Sequence, residues 1–222
     1  YDVCVIVGQH AMAGAMDGNL NHTMSSKHVT SYVLNGKPIG ETGVVALTCG
    51  ALGKPLIMVT GDEAACREAS ELIPGITAVA VKEGLARNCA ISVSMQQSHE
   101  MIRSGAAAAI RNHKKNPIAP LIWPGPYVFD RTFFHTDTAD AAQNMPGATR
   151  VDGLTVRLHD EATGERDEWH YADGLRDYLR GELAGRELLP PELFVGQQDK
   201  NTEIVDWAVA WVPEGDLVQE SY

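Results

Sequence analysis

Short apolar runs alternate with helical patterns through the first 150 positions of this 222-residue chain. Residues 3–7 form an unbroken apolar run of buried-strand length, and it ends at Gly8-Gln9-His10, placing His10 at a strand's carboxyl end. In open α/β sheets that edge is where sites form. Residues 30–34 and 37–39 flank Asn35-Gly36, the composition of a two-residue primed turn, and predict a hairpin. Glu41 then opens a helix of small residues, roughly 42–52. Residues 55–60 predict a strand, Gly61-Asp62 a tight turn with Asp62 as N-cap, Glu63–Leu72 a helix and residues 76–81 a strand, so that the two strands of this unit pair in parallel. Residues 95–112 read as a long alanine-rich helix whose basic end, His113-Lys114-Lys115, suits the helix dipole and which Pro117 stops. Residues 127–134 alternate as a strand, and 137–144 form a short helix before Pro146-Gly147.

From residue 154 the texture changes. Residues 155–159 and 167–171 flank Ala162-Thr163-Gly164-Glu165 and predict a hairpin. Residues 173–183 form an amphipathic helix with Leu175, Tyr178, Leu179 and Leu183 on its buried face. Past Pro190-Pro191, residues 203–212 alternate through Val205, Trp207, Val209 and Trp211 as a half-buried strand does. The expected fold is α/β. A layered sheet with helices on both faces, incomplete at its N-terminus, spans residues 1–153, and a small α+β tail spans residues 154–222.

Charge divides the chain at the same place. Residues 1–150 hold 12 Lys+Arg and 12 Asp+Glu, residues 151–222 hold 6 and 17, so the whole net charge of −11 sits in the tail. An acidic tail argues against nucleic-acid binding, which depends on neutralising phosphates with Lys and Arg. No apolar run reaches the length of about 18 residues that a membrane span requires, and Tyr-Asp-Val-Cys has no basic leader region. Cys4, Cys49, Cys66 and Cys89 lie among apolar or small residues without Cys-x-x-Cys spacing, which favours buried free thiols and a cytoplasmic location over a disulfide framework.

Three side chains carry candidate chemistry. Imidazole and carboxylate suit zinc, so His10 and Glu41 could supply two ligands, and His22 could act as general base or nucleophile. Spacing alone decides nothing: His10 also reads as an ordinary strand-end histidine, His22 as a loop histidine, and Glu41 as a first-turn acid favoured by the helix dipole. The local contexts say more. Gly8-Gln9-His10-Ala11, Asn21-His22-Thr23-Met24-Ser25-Ser26 and Asn35-Gly36-Lys37-Pro38-Ile39-Gly40-Glu41-Thr42-Gly43 occur in this order. They are followed by Val59-Thr60-Gly61-Asp62-Glu63, Ala80-Val81-Lys82-Glu83-Gly84, Asp137-Thr138-Ala139-Asp140 and Met145-Pro146-Gly147. Residues 1–153 thereby resemble the zinc-dependent, self-compartmentalising D-aminopeptidases. The resemblance implies that His10 and Glu41 are metal ligands, that Glu41 can equally bridge two metals, and that His22 holds the catalytic nucleophile position. It implies zinc as cofactor, short peptides with an N-terminal D-residue as substrates, and a homo-oligomer. It also places the family's remaining ligands, an Asp-x-Glu and a further histidine, before Tyr1, so impaired activity is expected of the chain as given. His28 and His99 read as surface residues, His113 as a helix-end cation and His135 as a strand-end residue.

The tail carries a different resemblance. Trp169-His170-Tyr171-Ala172-Asp173-Gly174-Leu175-Arg176-Asp177-Tyr178-Leu179, Glu203-Ile204-Val205-Asp206-Trp207-Ala208 and Glu220-Ser221-Tyr222 resemble the ATPase-bearing component of topoisomerase IV and its gyrase B relatives where the ATPase domain meets the transducer. The ATP-binding groups of that family fall outside the matching stretch, so no ATP chemistry is expected of the tail. The alternative to a peptidase is therefore a fragment of a type II topoisomerase with no activity of its own.

Overall fold

A computed structural model describes residues 2–145, 147–159 and 208–209. Its elements in chain order begin with β1 (Cys4–Gln9), β2 (Val29–Leu34), β3 (Lys37–Pro38), α1 (Glu41–Ala51), β4 (Leu56–Asp62), α2 (Glu63–Leu72) and β5 (Thr77–Ala86). They continue with β6 (Cys89–Ser92), α3 (Met95–Lys115), β7 (Val128–Phe133), α4 (Thr136–Ala142), β8 (Ala148–Arg150), β9 (Thr155–His159) and β10 (Ala208–Val209).

The first sheet has the order β10-β1-β4-β5-β6. Its centre is parallel, β1 to β4 and β4 to β5, as the alternation of strand and helix requires. Cys4, Ile6, Leu56 and Val59 pack on Ala46 and Cys49 of α1 and on Ala69 and Ile73 at α2. Ile57 and Met58 pack the other way, with Val3, Val5 and Val79, onto Ile102, Ala106, Ala109 and Ile110 of α3. Helices thus cover both faces of the sheet. The edge beside β1, which the sequence leaves open, is taken by β10 through the antiparallel pairs Ile6↔Val209 and Val7↔Ala208.

Two features differ from the expectation. β5 does not stop at residue 81 but runs to Ala86 and returns antiparallel as β6. That hairpin is largely exposed, so Lys82 and Glu83 break the apolar run without breaking the strand. A second, wholly antiparallel sheet of order β3-β2-β7-β9-β8 also forms. In it the hairpin expected at Asn35-Gly36 forms with φ of 51° and 75° at those residues, the left-handed conformation that a primed turn demands. Thr155–His159, expected to open the tail, lies between β7 and β8, with Val156 buried against Val29, Phe133 and Ala139. The other tail elements, the strand at 167–171 and the helix at 173–183, lie outside the described residues, as does most of the strand at 203–212.

α1 joins the two sheets. Ala46 and Cys49 face the first sheet, while Val44 and Leu47 pack with Leu34 and Ile39 beside Tyr32, Trp123 and Phe129 on the second. A helix buried on two sides has room only for small and medium residues, which explains its composition.

Asp62 fastens α2 to the loop below it. Fully buried, it caps the helix by accepting from the Ala65 N–H at 2.7 Å and accepts from the Asn19 N–H at 2.6 Å. Asp62→Ala leaves two backbone donors without this acceptor and is expected to cost about 2 kcal/mol in urea unfolding; a loss below about 0.5 kcal/mol would show that water replaces the carboxylate.

Cys4, Cys49 and Cys66 are buried free thiols, but Cys89 on the β6 edge is exposed, contrary to the expectation for all four. His113 is also not simply a helix-end cation: its Nδ1 accepts the Ile118 N–H at 3.1 Å, which requires a free lone pair on that nitrogen. Among the described residues no helix is long and apolar enough to cross a membrane.

Candidate metal centre

β1 ends in a turn at Gly8, whose φ of 84° suits glycine and whose N–H donates to Thr60 Oγ1 at 3.0 Å. This delivers His10 to the carboxyl end of the parallel strands. The following loop folds back onto its own start, with Ala13 N–H donating to Thr23 Oγ1 at 3.1 Å and His22 N–H to the Ala11 carbonyl at 3.3 Å. Leu20 and Met24, two residues either side of His22, hold φ of 55° and 60°. Left-handed backbone at non-glycine residues is costly and clusters at functional sites.

These constraints stack the His10 and His22 rings, with centroids 3.7 Å apart and planes 21° from parallel. Glu41, the first residue of α1 and 4% exposed, reaches both. Its Oε2 lies 3.1 Å from His10 Nε2 and its Oε1 3.9 Å from His22 Nε2. Oε1 also accepts the Met24 N–H, tying the second flank of His22 to the same carboxyl group. The potential ligand atoms of His10, His22 and Glu41 all lie within 4.8 Å of one another.

Both imidazoles are oriented from behind. His10 Nδ1 lies 3.0 Å from the Ala11 carbonyl and His22 Nδ1 2.7 Å from the Leu20 carbonyl. A carbonyl only accepts, so each Nδ1 carries the hydrogen and each Nε2 is turned toward Glu41. Metal-binding histidines are prepared in this way. Burial alone would depress His10; the Glu41 hydrogen bond and charge, the Ala11 carbonyl and the Glu68 charge outweigh it and hold the imidazole above its ordinary value. A metal must therefore displace a proton here, and binding weakens in acid.

The three residues singled out from sequence are thus brought together. His28, His99 and His135 are exposed and stand outside the cluster. Sequence reasoning passed over Glu68, whose Oε2 accepts the Met12 N–H at 2.9 Å. Burial pushes its carboxyl up to about 7, against the opposing pull of the Met12 N–H and the His10 charge. A signal was available: Glu68 interrupts the core-facing helical series Ala65, Ala69, Leu72.

The Glu68 value predicts a pH dependence. In metal-free protein the folded chain keeps a proton on Glu68 that the unfolded chain releases above its ordinary value of 4.5. Stability therefore falls as pH rises through the window from 4.5 to about 7 and levels off above it. The full effect is about 3 kcal/mol. Glu68→Gln removes the ionisation, so its urea midpoint should exceed wild type at pH 8 and match it at pH 4.5. Parallel pH curves for the two proteins would contradict the assignment.

The family pattern described as D-aminopeptidase matches residues 1–166. The chain belongs to the D-aminopeptidase family. It is 32% identical over 152 residues to the D-aminopeptidase of Bacillus subtilis strain 168, a match covering 68% of this chain and 54% of that protein. The solved structure of the Zn-dependent D-aminopeptidase DppA from Bacillus subtilis, described as a self-compartmentalizing protease, superposes with a TM-score of 0.70 at 29% identity, covering 86% of this chain and 66% of that one. This family member therefore spans about half the length of the Bacillus relative it matches. It is also 43% identical over 101 residues to the DNA topoisomerase 4 polypeptide of type B from Pseudomonas aeruginosa, across 45% of this chain but only 16% of that protein. The shares of the chain taken by the peptidase and topoisomerase matches together exceed the whole, so the two share residues.

Proposed function

We propose that this chain is part of a zinc-dependent hydrolase that removes N-terminal D-residues from short peptides and works as a homo-oligomer. The observation that carries the reading is the contact of His10 Nε2 with Glu41 Oε2 at 3.1 Å, with His22 Nε2 beside the same carboxyl group. The donor set suits the metal: two Nε2 atoms aimed by carbonyls and one carboxyl group within ligand reach. Zinc, when bound, supplies a Lewis acid for the scissile carbonyl and lowers the pKa of water.

In this reading His10 and Glu41 hold the metal and His22 handles protons. Its Nδ1–H is anchored on the Leu20 carbonyl, so Nε2 keeps its aim while it accepts a proton, and the carbonyl dipole stabilises the positive charge gained. Stacking on His10 fixes the ring plane. The self-compartmentalizing character of the Bacillus structure supports the homo-oligomer, and the buried thiols Cys4, Cys49 and Cys66 support a cytoplasmic location.

The test is release of D-alanine from D-alanyl-D-alanine by the zinc-loaded chain, with the L-alanyl peptide alongside. His22→Ala should lower kcat by about a hundredfold or more while leaving zinc affinity intact. Equal cleavage of both peptides, or a rate that survives His22→Ala, contradicts the reading. Sedimentation should give a mass several times that of one chain.

The topoisomerase match favours a second reading for residues 154–222, as a fragment of a type II topoisomerase without ATP chemistry of its own. The acidic balance of 6 Lys+Arg against 17 Asp+Glu over residues 151–222 opposes DNA binding by this stretch. Salt-sensitive retention of the full chain on duplex DNA would favour this reading over the peptidase.

A further inference from the structure

Three segments meet behind the metal pair. Met12 lies two residues past His10 on the loop leaving β1; Gly40 immediately precedes Glu41 as N-cap of α1; and Glu68 sits midway along α2. The Glu68 carboxyl group lies between the first two. Its Oε2 accepts the Met12 N–H at 2.9 Å. A Cβ added at Gly40 would run into Glu68 Oε1 and come within 2.7 Å of Met12 Cβ and 3.1 Å of Glu68 Cδ. The Gly40 backbone is therefore in direct contact with the carboxyl group and with Met12.

α2 is a firm base for such a contact. Asp62 caps its first turn, Ala64, Ala65, Cys66 and Ala69 are buried beneath it, and Ile73 follows it into the main core. Gly40, by contrast, offers α1 no side-chain cap, so nothing on its own residue fixes where α1 begins. A carboxyl group at a core-facing position also costs desolvation that packing alone would never require.

We infer that Glu68 is a positioning residue for the metal pair, clamping the chain just past His10 to the residue just before Glu41. The clamp sets the separation of His10 and Glu41 without touching either. It rests on the reading of these two residues as metal ligands for its functional meaning, and on the contacts alone for its existence. What matters is an acceptor at the right reach; the charge is secondary.

Histidine-ring carbon–proton correlation spectra of the metal-free chain test the clamp, with a zinc competition titration as the second readout. Glu68→Ala and Glu68→Asp withdraw the acceptor, the latter by one methylene with the charge kept and little threat to folding. Both should displace the His10 and His22 ring signals and weaken zinc about tenfold. Glu68→Gln, which keeps an acceptor oxygen at the original reach, should restore the wild-type ring signals and zinc affinity within about threefold. Unmoved ring signals in Glu68→Asp would overturn the inference. So would a wild-type-like Asp variant beside a disrupted Gln variant, since charge would then be the requirement. If the wild type binds no zinc while the ring signals follow this pattern, the metal reading falls and the clamp stands.

Discussion

Glu41→Gln is expected to weaken zinc binding by at least about a hundredfold, because it removes the one carboxyl group within reach of both imidazoles. The substitution is conservative in shape. The amide oxygen can still accept the Met24 N–H, so the loop that carries His22 keeps its anchor and the fold should survive. What is lost is a charged ligand, together with the partner that holds the His10 imidazole above its ordinary value. Competition against a chromophoric chelator at neutral pH reads the effect directly. An affinity within about threefold of wild type would remove Glu41 from the ligand set.

Gly61→Ala should have the largest effect on stability, about 3 kcal/mol or more. The added Cβ would run into the Gln9 carbonyl, a backbone atom on the neighbouring strand that cannot swing aside as a side chain can. β1 and β4 pair through Gln9↔Gly61, one residue before His10, so the strands would part where the metal pair begins. Urea unfolding measures the loss, and the His10 ring signal should move with it. A midpoint within about 0.5 kcal/mol of wild type would mean that the two strands separate at little cost.

The parallel half of the fold was legible because each element carries its own local signal. The apolar run into Gly8, Asp62 ahead of Glu63–Leu72, and the stop at Pro117 each mark an element without reference to anything distant. The second sheet was not legible as a sheet. β2 meets β7 across some hundred residues, in pairs such as Leu34↔Phe129, and alternation within a strand says nothing about which partner it will take. β6 was missed for another reason: an exposed edge hairpin needs no apolar face.

The candidate site divides in the same way. His10, His22 and Glu41 could be named from residue type and context, but not their convergence. The Ala11 carbonyl brings the histidines together by accepting from His10 Nδ1 and from the His22 N–H. That is a backbone event with no residue signature, since any amino acid at position 11 offers the same oxygen. Glu68 was invisible because a glutamate in a helix belongs by default to the solvent face. Only its place among Ala65, Ala69 and Leu72 distinguishes it.

The central claim is that His10 and Glu41 form a metal-binding pair. Equilibrium dialysis of the wild-type chain and of His10→Ala against zinc, followed by metal analysis of the recovered protein, tests it most directly. The account predicts about one tightly held zinc per wild-type chain and little in the variant. Equal zinc in both, or none in either, would contradict it.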